Sequence, residues 1–210
     1  KKMDKKIILL GYSGHAYSVI DAVHSMDIEI SGYLDFTEKS SNPYHLNYLG
    51  SEHTIELTME MKESYFFPSI GDGKLRTKMI SFIEEKGLKQ TNIIHKTAKI
   101  SKDARLETSI FISNGALINA LATIKKGAII NTGAIIEHEC NIGESSHVGP
   151  GAVLAGKVNI GKNTFIGAIA PIIPGVNIGN NLSIGAGSVV IEDVSDNSIY
   201  VGNPARKLKK

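Results

Sequence analysis

At 210 residues, with 23 Lys and Arg against 21 Asp and Glu, the chain carries a formal charge of only +2. That balance gives no field for nucleic acid or for an anionic membrane surface. The single cysteine excludes an intrachain disulfide, which suits a reducing cytoplasm, and 21 glycines without a tryptophan suit a β-solenoid better than an aromatic-cored sandwich. Taken in order, Ile7-Ile8-Leu9-Leu10 reads as a short buried strand, too brief for a signal peptide or a membrane span. The turn Gly11-Tyr12-Ser13-Gly14-His15 follows, and Ala16 to Met26 carries Val19, Ile20 and Val23 at helical spacing. A second strand over about Ile28 to Leu34 ends at Asp35, and residues 36–60 show no periodicity. A third strand over about Tyr65 to Ile70 enters Gly71-Asp72-Gly73, before an amphipathic helix from Lys74 to Lys86 that stops at Gly87.

Strand, helix, strand, then strand and helix imply a small parallel α/β unit, a Rossmann-like βαβ subdomain over residues 1–90. A glycine-rich turn between strand and helix lets backbone N–H groups approach a phosphate, and an acidic residue ending the next strand, here Asp35, can accept from a ribose or base. Gly11 and Gly14 lack the middle glycine of the full dinucleotide signature, and about 90 residues leave no room for a second half-fold. A mononucleotide is therefore expected rather than NAD.

From Ile94 onwards the pattern changes. Every sixth residue up to Val190 is aliphatic, a run of seventeen without a phase slip. Neither a helix nor an alternating strand has that period; a parallel β-helix of hexapeptide repeats over residues 91–210 does. Two residues before each stop the side chain is usually small, as at Ala116, Ala134, Cys140 and Ser146, which lets a narrow prism pack densely. Glycines just after the stops (Gly143, Gly149, Gly161, Gly167, Gly179, Gly185) are expected at sharp corners that need a permissive backbone. Three faces of six make an 18-residue coil, so residues 18 apart should stack about 4.8 Å from one another.

Glu137-His138-Glu139 lies between two inward positions and should project from a corner, with Gly156 one coil away. A neutral His138 can take a proton, Glu139 can orient its ring, and the Gly156 N–H can donate to an acyl carbonyl as charge develops there. His147, nine residues on, falls one and a half faces away, so a site using both histidines is expected to join two subunits. Cys140 belongs to the inward column and is expected as core filler. His95, His138 and His147 lack the spacing for a three-histidine metal site, so no metal is expected.

The ladder of [LIV]-G-x-x-small units and the closing Val201-Gly202-Asn203-Pro204-Ala205-Arg206 resemble the left-handed β-helix acyltransferases that use acetyl-CoA. More narrowly, Gly11-Tyr12-Ser13-Gly14-His15, Ile70-Gly71, Ile94-His95 and Glu137-His138-Glu139-Cys140 through Ser146-His147 are similar to one subfamily. It contains the UDP-4-amino-sugar N-acetyltransferase of bacillosamine synthesis and the sialic acid O-acetyltransferase-like proteins. The resemblance implies left-handed coiling and a homotrimer with active sites between subunits. It makes His138 the general base and Glu139 the residue that raises its basicity. His147, Ala168 and Ala186 would line the acetyl-CoA site with Gly156, while Ser13, Gly14, His15, Asp35 and Gly71 would hold the sugar's nucleotide, expected to be UDP. Asn131 would lie near the reacting amine. The sequence departs from the subfamily at Phe36, where relatives can carry a second acid, and at Gly71-Asp72-Gly73, in place of a Gly-Asn-Asn-like turn. Two alternatives stand beside N-acetylation: O-acetylation of a sialic acid or related nonulosonic acid, and a β-solenoid scaffold without catalysis.

Overall fold

The computed structural model describes residues 6–208. The chain divides into two compact units, one ending at Lys96 and the other starting at Thr97, so the first ladder stop, Ile94, falls in the first unit.

In the first unit, β1 (Lys6–Leu10), β2 (Glu29–Leu34), β3 (Tyr48–Gly50), β4 (Tyr65–Pro68) and β5 (Lys89–Gln90) form a sheet ordered β3-β2-β1-β4-β5. All its pairings are parallel. The central β1 has Ile7 to Leu10 buried without alternation, as a parallel strand covered on both faces requires. Helix α1 (Gly14–Ser25) turns Ala16, Val19, Ile20, Ala22 and Val23 inwards. The short α2 (Met59–Glu63) and the longer α3 (Gly73–Glu85) complete the unit. Residues 36–60, patternless in sequence, hold β3 and the start of α2; three residues of strand are too few to display a period. Strand β4 stops at Pro68, two residues before the expected end, and Ser69 then bonds back to Leu10 O.

In the second unit each ladder stop from Ile100 to Ile184 is the second residue of a two-residue strand. The strands sort into three parallel sheets, one per face of a β-helix. The first face stacks Lys99–Ile100, Leu117–Ile118, Ile135–Ile136, Val153–Leu154 and Pro171–Ile172. The second stacks Arg105–Leu106, Thr123–Ile124, Asn141–Ile142, Asn159–Ile160 and Asn177–Ile178. The third carries Phe111–Ile112, Ile129–Ile130, His147–Val148, Phe165–Ile166 and Ser183–Ile184. Every pairing among these strands joins residues 18 apart, as the count requires, whereas Ser183–Ile184 pairs with Ile199–Tyr200, 16 on. From Ile112 to Val190 all stops are buried, and burial of each such side chain contributes about 1.5–3 kcal/mol. Val190 is held only by an isolated bridge to Ile172.

The small inward column also binds coil to coil. Cys140 Sγ–H donates to Ala155 O at 3.1 Å, Ser146 Oγ to Gly161 O, and Thr164 Oγ1 to Gly179 O at 2.7 Å. These carbonyls sit just past the stops, where the chain leaves the ladder, and each needs a partner once buried.

The corner glycines behave differently from the expectation. The left-handed residues fall three after a stop, at Gly133 (φ 63°), Glu139 (φ 60°) and Lys157 (φ 64°) for example, whereas Gly143 and Gly161 are not among them. A Cβ on Gly143 would lie 2.5 Å from Gly161 C and O, and one on Gly161 2.5 Å from Gly179 O. Those glycines permit the close approach of successive coils; the turning itself is done two residues later.

The outward rows differ in character. Beyond Lys99 at its start, the first face presents Leu117, Ile135, Val153 and Pro171. The second presents an amide ladder in which Asn141 donates to Asn159 and Asn159 to Asn177, at 2.8 and 2.9 Å. Asp193 closes this row by accepting from the Asn177 N–H at 2.8 Å, and Asp196 does the same for Asn180 at 2.7 Å. The backbone bond, then the side-chain amide, holds each carboxyl below the ordinary Asp value of 3.8. Because the folded value is depressed, this stabilisation is present above pH 3.8 and is lost as pH falls through the folded value. Asp196→Ala is therefore expected to speed hydrogen exchange at the Asn180 amide while leaving the Asn141 amide unchanged; equal protection in both proteins would contradict the capping role.

Candidate active site

Titratable side chains gather at the corner between the first and second faces. His138 is the second residue past the stop Ile136, and Glu139, in the left-handed turn position, directs its carboxylate to the ring: His138 Nδ1 to Glu139 Oε2 is 3.0 Å. A carboxylate can only accept, so Nδ1 carries the hydrogen and, in the neutral ring, Nε2 keeps its lone pair. The side chains are 55% and 44% exposed, so the ring is open to a substrate.

Gly156 lies directly against that ring. A Cβ built there would come within 2.5 Å of both His138 Cε1 and Nε2. Between them the backbone runs in ladder register, Lys157 N to His138 O at 2.9 Å. The same count of 18 stacks Lys157 on Glu139, and Lys157 Nζ stands 3.9 Å from Glu139 Oε2. Sequence reasoning applied the count to the histidine and missed the lysine. The Cys140 thiol beneath is pushed up to about 11, mainly by burial, and gives its hydrogen to a carbonyl, so it offers no thiolate.

A second group gathers on the third face and the edge that follows it. His147 is the outward residue of its strand; its Nε2 meets Asn131 Nδ2 at 3.0 Å, and its ring packs edge-on against Phe165 at 5.1 Å. Ala168 and Ala186, each two past a stop, stack 18 apart on that same edge. The corner N–H two past a stop takes no part in the coil ladder; at Lys162 and Asn180 a side chain accepts it. Thus His138 with Gly156, and His147 with Asn131, Ala168 and Ala186, occupy the two edges of the apolar first face.

In the first unit, the carboxyl ends of β1, β2 and β4 enclose a cleft of about 190 Å³ lined by Gly11, Ser13, Asp35, Lys39, Glu52, Ile70, Leu75 and Met79. Neighbouring connections leave the central β1 in opposite directions there, the place where open α/β sheets bind ligands. Ser13 caps α1 in extended conformation without a side-chain capping bond, and a Cβ on Gly14 would meet nothing within 4 Å. Asp35 works as a clasp: it accepts from Tyr12 N at 2.9 Å and Phe36 N at 2.8 Å, and pairs with Lys39 at 2.9 Å. Gly71 packs on His15, whose Cβ is 3.7 Å from a Cβ built at Gly71. His15 is lowered to about 4, first by burial and then by the Arg76 charge, so it is neutral at pH 7.

Arg76 itself is 1% exposed, and its Nη1 donates to Ile70 O and Gly71 O at 2.8 Å each. Burial lowers its guanidinium to about 10, still charged at pH 7. Its signal was available, a lone arginine on the buried stripe of α3 with Ile80 and Ile83. Asp72 is the N-cap of that helix, accepting from Leu75 N at 2.8 Å. His95 is tied to α1 through Asp21 at 3.6 Å.

Both halves of the chain match known families. Residues 6–83 match the PglD N-terminal domain, and residues 157–192 the hexapeptide repeat of succinyl-transferase. PerB from Caulobacter crescentus, solved in complex with CoA and GDP-perosamine, is 33% identical over 97% of each chain with a TM-score of 0.91. The chain belongs to the PglD-like family of left-handed β-helix sugar acetyltransferases. The acetyltransferase domain of PglB from Neisseria gonorrhoeae, solved with acetyl coenzyme A, is 25% identical over 98% of this chain and 100% of that one, with a TM-score of 0.90. WeeI from Acinetobacter baumannii shares the fold at 21% identity over 97% and 100% of the two chains, TM-score 0.81.

The contact between Gly156 and the imidazole gives a direct test. Gly156→Ala puts a methyl where the ring stands and is expected to displace His138, lowering turnover by about 10²-fold or more while acetyl-CoA still raises the melting temperature. Wild-type turnover in that variant would show the ring position to be irrelevant.

Proposed function

We propose that this acetyl-CoA-dependent acyltransferase acetylates the 4-amino group of a nucleotide-linked amino-deoxy sugar in bacterial glycan synthesis. The observation that carries this reading is the Nδ1–carboxylate pair of His138 and Glu139, which leaves Nε2 as a free base beside Gly156. In the reaction the sugar nitrogen attacks the thioester carbonyl, His138 Nε2 takes the proton from that nitrogen, the C–S bond breaks, and CoA leaves. The Gly156 N–H and the corner amides of Ala168 and Ala186 are donors for the acyl oxygen and for the CoA chain. Glu139 stabilises the imidazolium that forms, and Lys157 places a positive charge 3.9 Å from that carboxylate. The buried, carbonyl-bound Cys140 supports direct transfer without an acetyl-enzyme.

The amine acceptor draws support from the Caulobacter relative, which holds a nucleotide-linked amino sugar with CoA. The same relative carries its sugar on GDP, whereas the subfamily resemblance points to UDP, so the base is best sought in the chemistry of the cleft. Ser13, Gly14 and the α1 N-terminus are the donors for the diphosphate, Asp35 and Gly71 shape the turns around it, and His15 supports them from beneath.

The working unit is a homotrimer. Leu117, Ile135, Val153 and Pro171 make the first face apolar, and its two edges carry the two histidine groups. If that face turns towards a threefold axis, the His138 edge of one chain meets the His147 edge of the next, a heterologous contact that closes into a ring. Each site would then take its base from one chain and its His147 and Asn131 from a neighbour.

His138→Ala is expected to lower kcat by about 10²–10⁴-fold in a CoA-release assay with a nucleotide-linked 4-amino sugar, with acetyl-CoA affinity unchanged. Full activity in that variant would remove the histidine from the mechanism.

A further inference from the structure

Glu52 has no role in the reaction above, yet its position is unusual. It sits in the turn after β3, where its side chain is only 13% exposed. One oxygen, Oε1, faces His53 Nε2 at 3.5 Å, beyond a good hydrogen bond, and the other, Oε2, is buried with no hydrogen-bond partner. A carboxylate taken from water is normally repaid by donors. Glu52 and Met79 line the nucleotide cleft, and both also line a second hollow of about 330 Å³ along α3, bounded by His53, Thr77, Ser81 and Phe82. Glu52 therefore stands on the wall shared by the two spaces, the phosphate end lying towards Gly11 and Ser13. Beside it, Phe36 follows the cleft-lining Asp35, is 70% exposed, and packs edge-on to His53 at 6.0 Å. An exposed aromatic adjoining a cleft-lining residue offers a face for a base.

The chemistry of the four common bases separates them against a carboxylate. Guanine presents two adjacent donors, N1–H and the 2-amino group, matching two carboxylate oxygens. Uracil presents one donor flanked by two carbonyl acceptors, which a carboxylate repels. Adenine and cytosine each offer a single amino donor beside an acceptor ring nitrogen. A site built to accept two hydrogen bonds rejects a ligand that cannot supply them, because its buried oxygens then stay unpaired.

We propose that Glu52 reads the Watson–Crick edge of guanine, so that the sugar substrate is carried on a guanosine diphosphate rather than on UDP. This rests on the reading of the chain as a nucleotide-sugar acetyltransferase and names the carrier. Titration calorimetry on the full chain with GDP, IDP and UDP tests it. GDP is expected to bind about tenfold or more tightly than UDP, with IDP, which lacks the 2-amino group, between them. Glu52→Gln is expected to remove most of the GDP preference while leaving the melting temperature and the CoA affinity in place. UDP binding as tightly as GDP, an unchanged preference in Glu52→Gln, or no nucleotide binding at all would overturn the assignment. A chain that prefers UDP and releases CoA with a UDP-linked 4-amino sugar would overturn the guanine reading alone. Selective GDP binding without CoA release from any 4-amino sugar would uphold the base site and overturn the proposed reaction.

Discussion

The structure of the catalytic unit depends on one constraint: each coil must hydrogen-bond to the next in register, so residue n lies on residue n + 18. Buried aliphatic stops enforce it from inside, since a slip of one residue would turn the whole apolar column outwards. Glycines just after the stops let neighbouring backbones approach to a distance that a Cβ would forbid. Given that register, Gly156 must lie on His138 and Lys157 on Glu139, and an imidazole is pinned between a carboxylate and an open glycine without any loop to position it. The solenoid needs no aromatic core for this. It needs only repetition.

The first unit uses a different logic. Its cleft is built from three strand ends, and its polar groups are fixed by one another. Asp35 ties the glycine turn to the end of β2, accepting from Tyr12 N in that turn and from its own neighbour Phe36 N. Arg76 secures the opposite turn from below while keeping a positive charge under the cleft, and that charge, with burial, keeps His15 neutral. The proposed nucleotide site thus has a buried guanidinium behind one turn and the Glu52 carboxylate on its wall.

Much of this could be read from residues alone, because repetition is a strong signal. The six-residue ladder gave the β-helix, its register and the stacking of Gly156 on His138. Lys157 was equally accessible to the same arithmetic, being 18 after Glu139. The corner glycines were misread because glycine has two uses: it permits left-handed torsions and it permits close approach, and sequence does not say which. Here the residues three after a stop, glycine or not, take the left-handed torsion, as at Gly133, Glu139 and Lys157, and the glycines just after the stops take the contact. In the first unit β3 and α2 were hidden by brevity, and Glu52 with them, since nothing in a three-residue strand marks the turn after it. Arg76 was visible as a charge on an apolar stripe, but its partners are backbone carbonyls, which no sequence pattern displays.

In the proposed homotrimer the apolar first face turns towards the axis and each catalytic centre is divided between two chains. Mixing subunits tests this most directly. His138→Ala and His147→Ala chains, each nearly inactive alone, are co-expressed and the hybrid trimers assayed for CoA release. Random assembly leaves both wild-type histidines at about a quarter of the interfaces, so recovery to about that fraction of wild-type activity is expected. A mixture no more active than its two components would place both histidines in one chain's site, and would contradict the shared centre.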